Sequence, residues 1–97
     1  MLAKTRELLQ KVIDVYGKEY QMRIAQEELA ELIIVISKAI RRPGNKYYKK
    51  DLVEEIVDVE LILEQLKLTV DQEALVIEST MKLCHLEEKL AKRKNPD

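Results

Sequence analysis

The stretch MRIAQEELAELIIVISKAI, residues 22–40, decides the fold. Within it Met22, Ala25, Leu29, Ile33, Ile36 and Ile40 recur at spacings of three and four, which places them on one stripe of an α-helix. Ile24, Ala30, Ile34 and Val35 lie off that stripe, so the helix is apolar on more than one side. A helix of that kind is buried on more than one face. In a chain of 97 residues the second face is expected to meet another subunit.

Working outward, the only two glycines and two prolines mark the breaks: Gly17, Pro43-Gly44 and Pro96. The segments between them predict helices over about residues 3–16, 19–41, 48–68 and 71–93. The first carries Leu8, Leu9, Val12, Ile13 and Tyr16. The third has Leu52, Ile56, Val59, Leu63 and Leu66 on its core line. In the fourth, Ala74, Ile77, Met81 and Cys84, with Leu83, Leu86 and Leu90, face inward, and Asp71 is placed to cap the first turn. Residues 94–97 are expected to fray. Short connections make neighbouring helices antiparallel. The expected fold is all-α: one domain, a compact four-helix bundle that oligomerises through its helices as a dimer or tetramer.

Bulk composition narrows the partners. The chain has 17 basic and 18 acidic residues, so a net charge of −1 gives no global attraction to nucleic acid or anionic membrane. No run approaches the roughly 20 apolar residues of a membrane helix. A single cysteine, Cys84, and no secretory leader lead us to expect a cytoplasmic protein.

Two carboxylate pairs carry the chemistry. Glu28 and Glu31 lie three residues apart on the second helix, and Glu55 and Asp58 repeat the arrangement on the third. With about 100° per residue and Leu29 as centre, Glu28 falls about 100° and Glu31 about 160° away on one side. Glu55 and Asp58 take the same angles about Ile56. Acidic residues on a helix are usually a solvated face, but Ile24 and Val35 flank the first row and Ile62 continues the second. Carboxylates in such surroundings repel one another and lose solvation unless a cation compensates. Four carboxylates without His or Cys favour a hard ion, Mg²⁺ or Mn²⁺. Mg²⁺ commonly binds through carboxylates plus substrate phosphates, which points to a polyphosphate substrate.

A basic segment adjoins the carboxylates. Residues 38–50 hold six basic residues and no acid. Lys38, Arg42 and Lys46 are candidates for the outer phosphates, and Gln21, with Tyr16 or Tyr20, for a base. The same segment mixes bases with Tyr47 and Tyr48, as single-strand-binding surfaces do. Nucleic-acid binding ranks below nucleotide binding because the segment is one short loop.

These residues resemble the MazG-like family of all-α nucleoside triphosphate pyrophosphohydrolases, its small phage-type members in particular. The family's hallmark is Glu-x-x-Glu on one helix and Glu-x-x-Asp on the next. The matches here are Glu28-Leu29-Ala30-Glu31 and Glu55-Ile56-Val57-Asp58, and the likeness runs from residue 16 to residue 89. It implies that Glu28, Glu31, Glu55 and Asp58 hold Mg²⁺ while water attacks the α-phosphorus, releasing pyrophosphate and leaving the monophosphate. It implies a phosphate role for Lys82 on the last helix, whereas His85 stands where the family often has Arg. Two other readings stay open: a non-enzymatic helical interaction module, and a nucleic-acid-binding module using residues 38–50. A related enzyme acting on a larger nucleotide such as phosphoribosyl-ATP is a third.

Overall fold

The computed structural model describes residues 3–94, apart from the side chains of Tyr47 and Lys94. Pro96 and most of the expected frayed tail lie outside the described residues, and Lys94 itself closes the last helix. Four helices follow one another: α1 (Ala3–Tyr16), α2 (Lys18–Arg41), α3 (Lys46–Lys67) and α4 (Gln72–Lys94). Among the described residues there is no strand. No helix there is long and apolar enough to cross a membrane.

Each break has a local cause. Gly17 takes φ 94° and ψ 148°, a region essentially reserved for glycine, and its N–H closes α1 on the Ile13 carbonyl at 2.7 Å. After Arg41 the Arg42 N–H bonds back to Lys38 O at 3.0 Å, and Gly44, at φ 87°, turns the chain into α3. Asp71 caps α4 as expected, its Oδ1 accepting the Ala74 N–H at 3.0 Å.

α2 and α3 form an antiparallel pair, since Gln21 meets Gln65 near one end while Glu28 meets Glu55 and Asp58 further along. α1 packs across both, burying Leu9 and Ile13. The buried apolar residues are Leu9, Ile13, Ala25, Val59 and Ile62, and beside them Gln21 Nε2 donates to Gln65 Oε1 at 2.6 Å.

Two expectations are corrected. The core lines drawn through Leu29 and Ile56 meet only in part: Ala25 on α2 and Leu52, Val59 and Leu66 on α3 face inward as expected, but each contact face is turned toward the carboxylate row. α2 turns Gln21, Ala25, Glu28 and Leu32 towards its neighbour, and Met22, Leu29, Ile33, Ile36 and Ile40 stay exposed. On α3 the inner row is Leu52, Glu55, Val59 and Ile62, with Ile56 and Leu63 exposed. Periodicity groups residues onto a face, but the neighbour that covers the face is chosen by tertiary contact. Here the small Ala25 and the Gln21–Gln65 bond let that side of α2 approach α3.

The compact four-helix bundle is the second correction, because α4 makes no substantial contact with the other three helices. The radius of gyration is 17.2 Å, against about 12.5 Å for a compact domain of this length. The α3–α4 turn accounts for it. Thr69 N–H and Oγ1 both bond Leu66 O, and Gln72 Nε2 donates to Lys67 O at 2.6 Å and Val70 O at 3.0 Å. These bonds satisfy the last carbonyls of α3 and fix the direction in which α4 leaves.

Candidate functional site

The antiparallel register of α2 and α3 brings the motif acids face to face. Glu28, Glu55 and Asp58 each offer a carboxylate oxygen, and these oxygens lie within 4.8 Å of one another. Glu28 and Glu55 are half-buried between the helices, and Asp58 opens to solvent. Glu31 is exposed one turn along α2 and lies close enough for its charge to act on Glu55. The structure thus gathers three of the four motif acids, with the fourth at the rim.

Glu55 is the centre of the strain in this cluster. Its pKa is pushed up from 4.5 to about 7 by a hydrogen bond with Glu28, by partial burial, and by the negative charges of Glu28, Asp58 and Glu31. Two carboxyl groups share a hydrogen bond only while one of them carries the proton. Among the described residues the buried Oε1 of Glu55 has no hydrogen-bond partner. A buried acceptor facing two acids requires a proton or a cation.

That is the test for a divalent ion, and the residues fit. The donor set is all carboxylate oxygen, which suits Mg²⁺ or Mn²⁺. The oxygens converge, one of them is orphaned, and the exposed side at Asp58 leaves room for phosphate and water.

The basic residues occupy the far end of the same hairpin. Lys38, Arg41, Arg42 and Tyr48 line an open cleft of about 400 Å³. Lys38 stands seven residues beyond Glu31, about 10 Å along the axis. Lys46 is exposed at the start of α3. Arg41 and Tyr48 join the cleft through the antiparallel return of α3, a pairing visible in the sequence once the register is known.

The remaining candidates lie elsewhere. Gln21 is buried and gives its amide hydrogen to the equally buried Gln65. Tyr16 and Tyr20 stack on each other across Gly17, ring centroids 5.8 Å apart, with their outer surfaces exposed. Lys82 projects from α4 beside Glu78 at 3.8 Å and lines a shallow hollow with His85 and Lys89. That hollow belongs to one helix, and within the chain it is not joined to the carboxylates. Gln65 escaped the sequence reading, which had no means of pairing it with Gln21.

No family model, curated protein or solved structure matches this chain. The site's chemistry therefore rests on its own residues.

Proposed function

We propose that this chain hydrolyses nucleoside triphosphates with Mg²⁺, releasing pyrophosphate and leaving the monophosphate, as nucleotide-pool housekeeping. The observation that carries the reading is the convergence of Glu28, Glu55 and Asp58 oxygens within 4.8 Å around a buried Glu55 oxygen with no partner. The resemblance of the two motifs to the MazG-like enzymes names the reaction.

In this reading Glu28, Glu31, Glu55 and Asp58 hold the ion. When bound, a divalent cation neutralises phosphate charge and makes water more acidic. The side chains do the rest. Leu32, Val35 and Leu52, half-buried about one turn from the acids along α2 and α3, would limit water around them. Lys38 and Arg42, with Lys46, offset the charge of the outer phosphates and stabilise the leaving pyrophosphate. Water oxygen forms the new bond to the α-phosphorus as its proton passes to solvent, the α–β bridging bond breaks, and the electron pair leaves on pyrophosphate.

The test is incubation of the folded protein with Mg²⁺ and a panel of ribo- and deoxynucleoside triphosphates, phosphoribosyl-ATP included, with release of pyrophosphate as readout. Absence of pyrophosphate from every substrate overturns the proposal. Asp58→Asn is expected to abolish turnover with the helical signal unchanged. The basic, aromatic cleft at Lys38, Arg41, Arg42 and Tyr48 favours a second reading, a nucleic-acid-binding module without catalysis. It predicts oligonucleotide binding that weakens steeply with salt and does not need Mg²⁺.

A further inference from the structure

Two residues of the basic cleft have no part in hydrolysing a mononucleotide. Lys38, Arg41, Arg42 and Tyr48 line that cleft together. In the hydrolase reading Lys38 and Arg42 meet the outer phosphates, which leaves Arg41 and Tyr48 unused. Lys38 lies about 20° around the helix axis from Glu31 and about 10 Å along it, and Tyr48 stands in the same relation to Glu55. The cleft and the carboxylates are therefore two stations of one trough on the α2–α3 hairpin. A phosphate chain held at the acids by its α-phosphorus runs along that trough. Two anhydride links bring its γ-phosphate within reach of the long Lys38 side chain and end there. Arg41 lies three residues further, about 4.5 Å along α2.

The far station selects the ligand. Among the described residues the ion pairs fall elsewhere, at Glu19–Arg23, Glu64–Lys67 and Glu78–Lys82, so none neutralises the cations of the cleft. Phosphate alone has no use for the half-buried ring of Tyr48. An aromatic ring beside guanidinium groups is suited to a nucleobase, through stacking and cation–π attraction. The cleft, at about 400 Å³, falls within the size range of small-molecule sites.

We propose that the preferred substrate is a dinucleoside tetraphosphate, its first nucleotide at the acids and its second nucleoside in the cleft. The second base stacks on Tyr48, and Lys38, Arg41 and Arg42 take the distal phosphates. The inference rests on the hydrolase reading for the reaction and on the cleft for the second nucleoside. Water oxygen bonds to the α-phosphorus of the first nucleotide as its proton passes to solvent. The α–β bridge breaks, and the electron pair leaves on the triphosphate of the second nucleoside. The products are a nucleoside monophosphate and a nucleoside triphosphate, and the latter re-enters the site as a substrate.

Steady-state kinetics with Mg²⁺ on the unmodified chain compare ATP, adenosine 5′-tetraphosphate and diadenosine tetraphosphate, so that the first base is constant. KM for diadenosine tetraphosphate is expected to lie about tenfold or more below that for either other probe, the effect of stacking one base. AMP and ATP should appear before pyrophosphate. Tyr48→Leu is expected to remove the advantage and Tyr48→Phe to keep it, because stacking uses the ring and not the hydroxyl. Equal KM values overturn the proposal, as does ADP as the first product, which would put the cut at the centre of the phosphate chain. Cleavage of none of the probes overturns the hydrolase reading, and calorimetric titration with the same probes, which needs no turnover, then tests the cleft by itself. An affinity for diadenosine tetraphosphate about tenfold above that for ATP supports the second-nucleoside site, and equal affinities overturn it. So does a single-stranded oligonucleotide with a 5′-hydroxyl that binds more tightly than diadenosine tetraphosphate, which would assign the cleft to nucleic acid.

Discussion

Glu55 couples the stability of the chain to pH and to cations. Between pH 4.5 and about 7 the folded chain keeps a proton that the unfolded chain has released. Stability therefore falls as pH rises through that window. We predict that, without divalent ions, the melting temperature declines from pH 4.5 to 7 and that Mg²⁺ restores it above pH 7. Thermal scans by circular dichroism with and without chelator check this; a flat profile would place Glu55 in a benign environment. Glu55→Gln puts an amide donor beside Glu28. The variant is expected to gain roughly 1 kcal/mol in chelator, a modest value because the outer side of the cluster is wet. It is also expected to lose Mg²⁺ stabilisation and turnover. Gln65 supplies a second prediction at this scale. Gln65→Ala leaves the buried Gln21 amide without its acceptor and should cost roughly 2 kcal/mol or more. Replacing both glutamines by Leu should recover most of that loss, a coupling that a double-mutant cycle in urea measures directly.

The helices themselves follow from short-range physics, and they were legible for that reason. Gly17, Pro43-Gly44 and Asp71 mark the breaks, and the observed ends fall within two residues of those read from periodicity. The spacing of Glu28 with Glu31 and of Glu55 with Asp58 was equally legible, as was the meeting of Glu28 with Glu55 and Asp58 on adjacent helices, with Glu31 left at the rim. The faces were not. Leu29 and Ile56 are the better core candidates by hydrophobicity, yet Glu28 and Glu55 occupy the seam, because the Gln21–Gln65 bond and Ala25 set which sides approach. No local pattern encodes that choice. The direction of α4 was missed for a similar reason, since it depends on side-chain bonds from Thr69 and Gln72 to carbonyls of α3 and the turn. The connection at Gly17 gives a test at this scale. A Cβ there meets nothing within 4 Å, so the cost of Gly17→Ala comes from φ alone. We expect a loss of about 1 to 3 kcal/mol in chemical denaturation. Asp71→Ala should cost about 1 kcal/mol through the lost cap.

At the scale of the molecule, the described residues include five buried apolar side chains, a small core, and none of the largest side chains among them is fully covered. Ordering the backbone alone costs about 1 to 2 kcal/mol per residue, and that core supplies little of the offsetting burial. The expected association through helices would supply more and would make folding and association one equilibrium. Its thermal signature is quantitative. A unimolecular transition has a melting temperature independent of concentration. A dimer unfolding to two chains gains stability with concentration by mass action. With about 0.7 kcal/mol of unfolding enthalpy per residue in each of two chains, every tenfold increase in concentration should raise the melting temperature by about 4 °C. Scans over two decades of concentration should therefore separate by about 8 °C, well beyond scan error. The same series on Leu83→Lys should shift to lower temperature throughout, because the charge opposes burial of the α4 stripe. Coincident melts for the unmodified chain would mean that the α1–α3 core suffices alone and that the exposed stripes of α2 and α4 contribute nothing to folding.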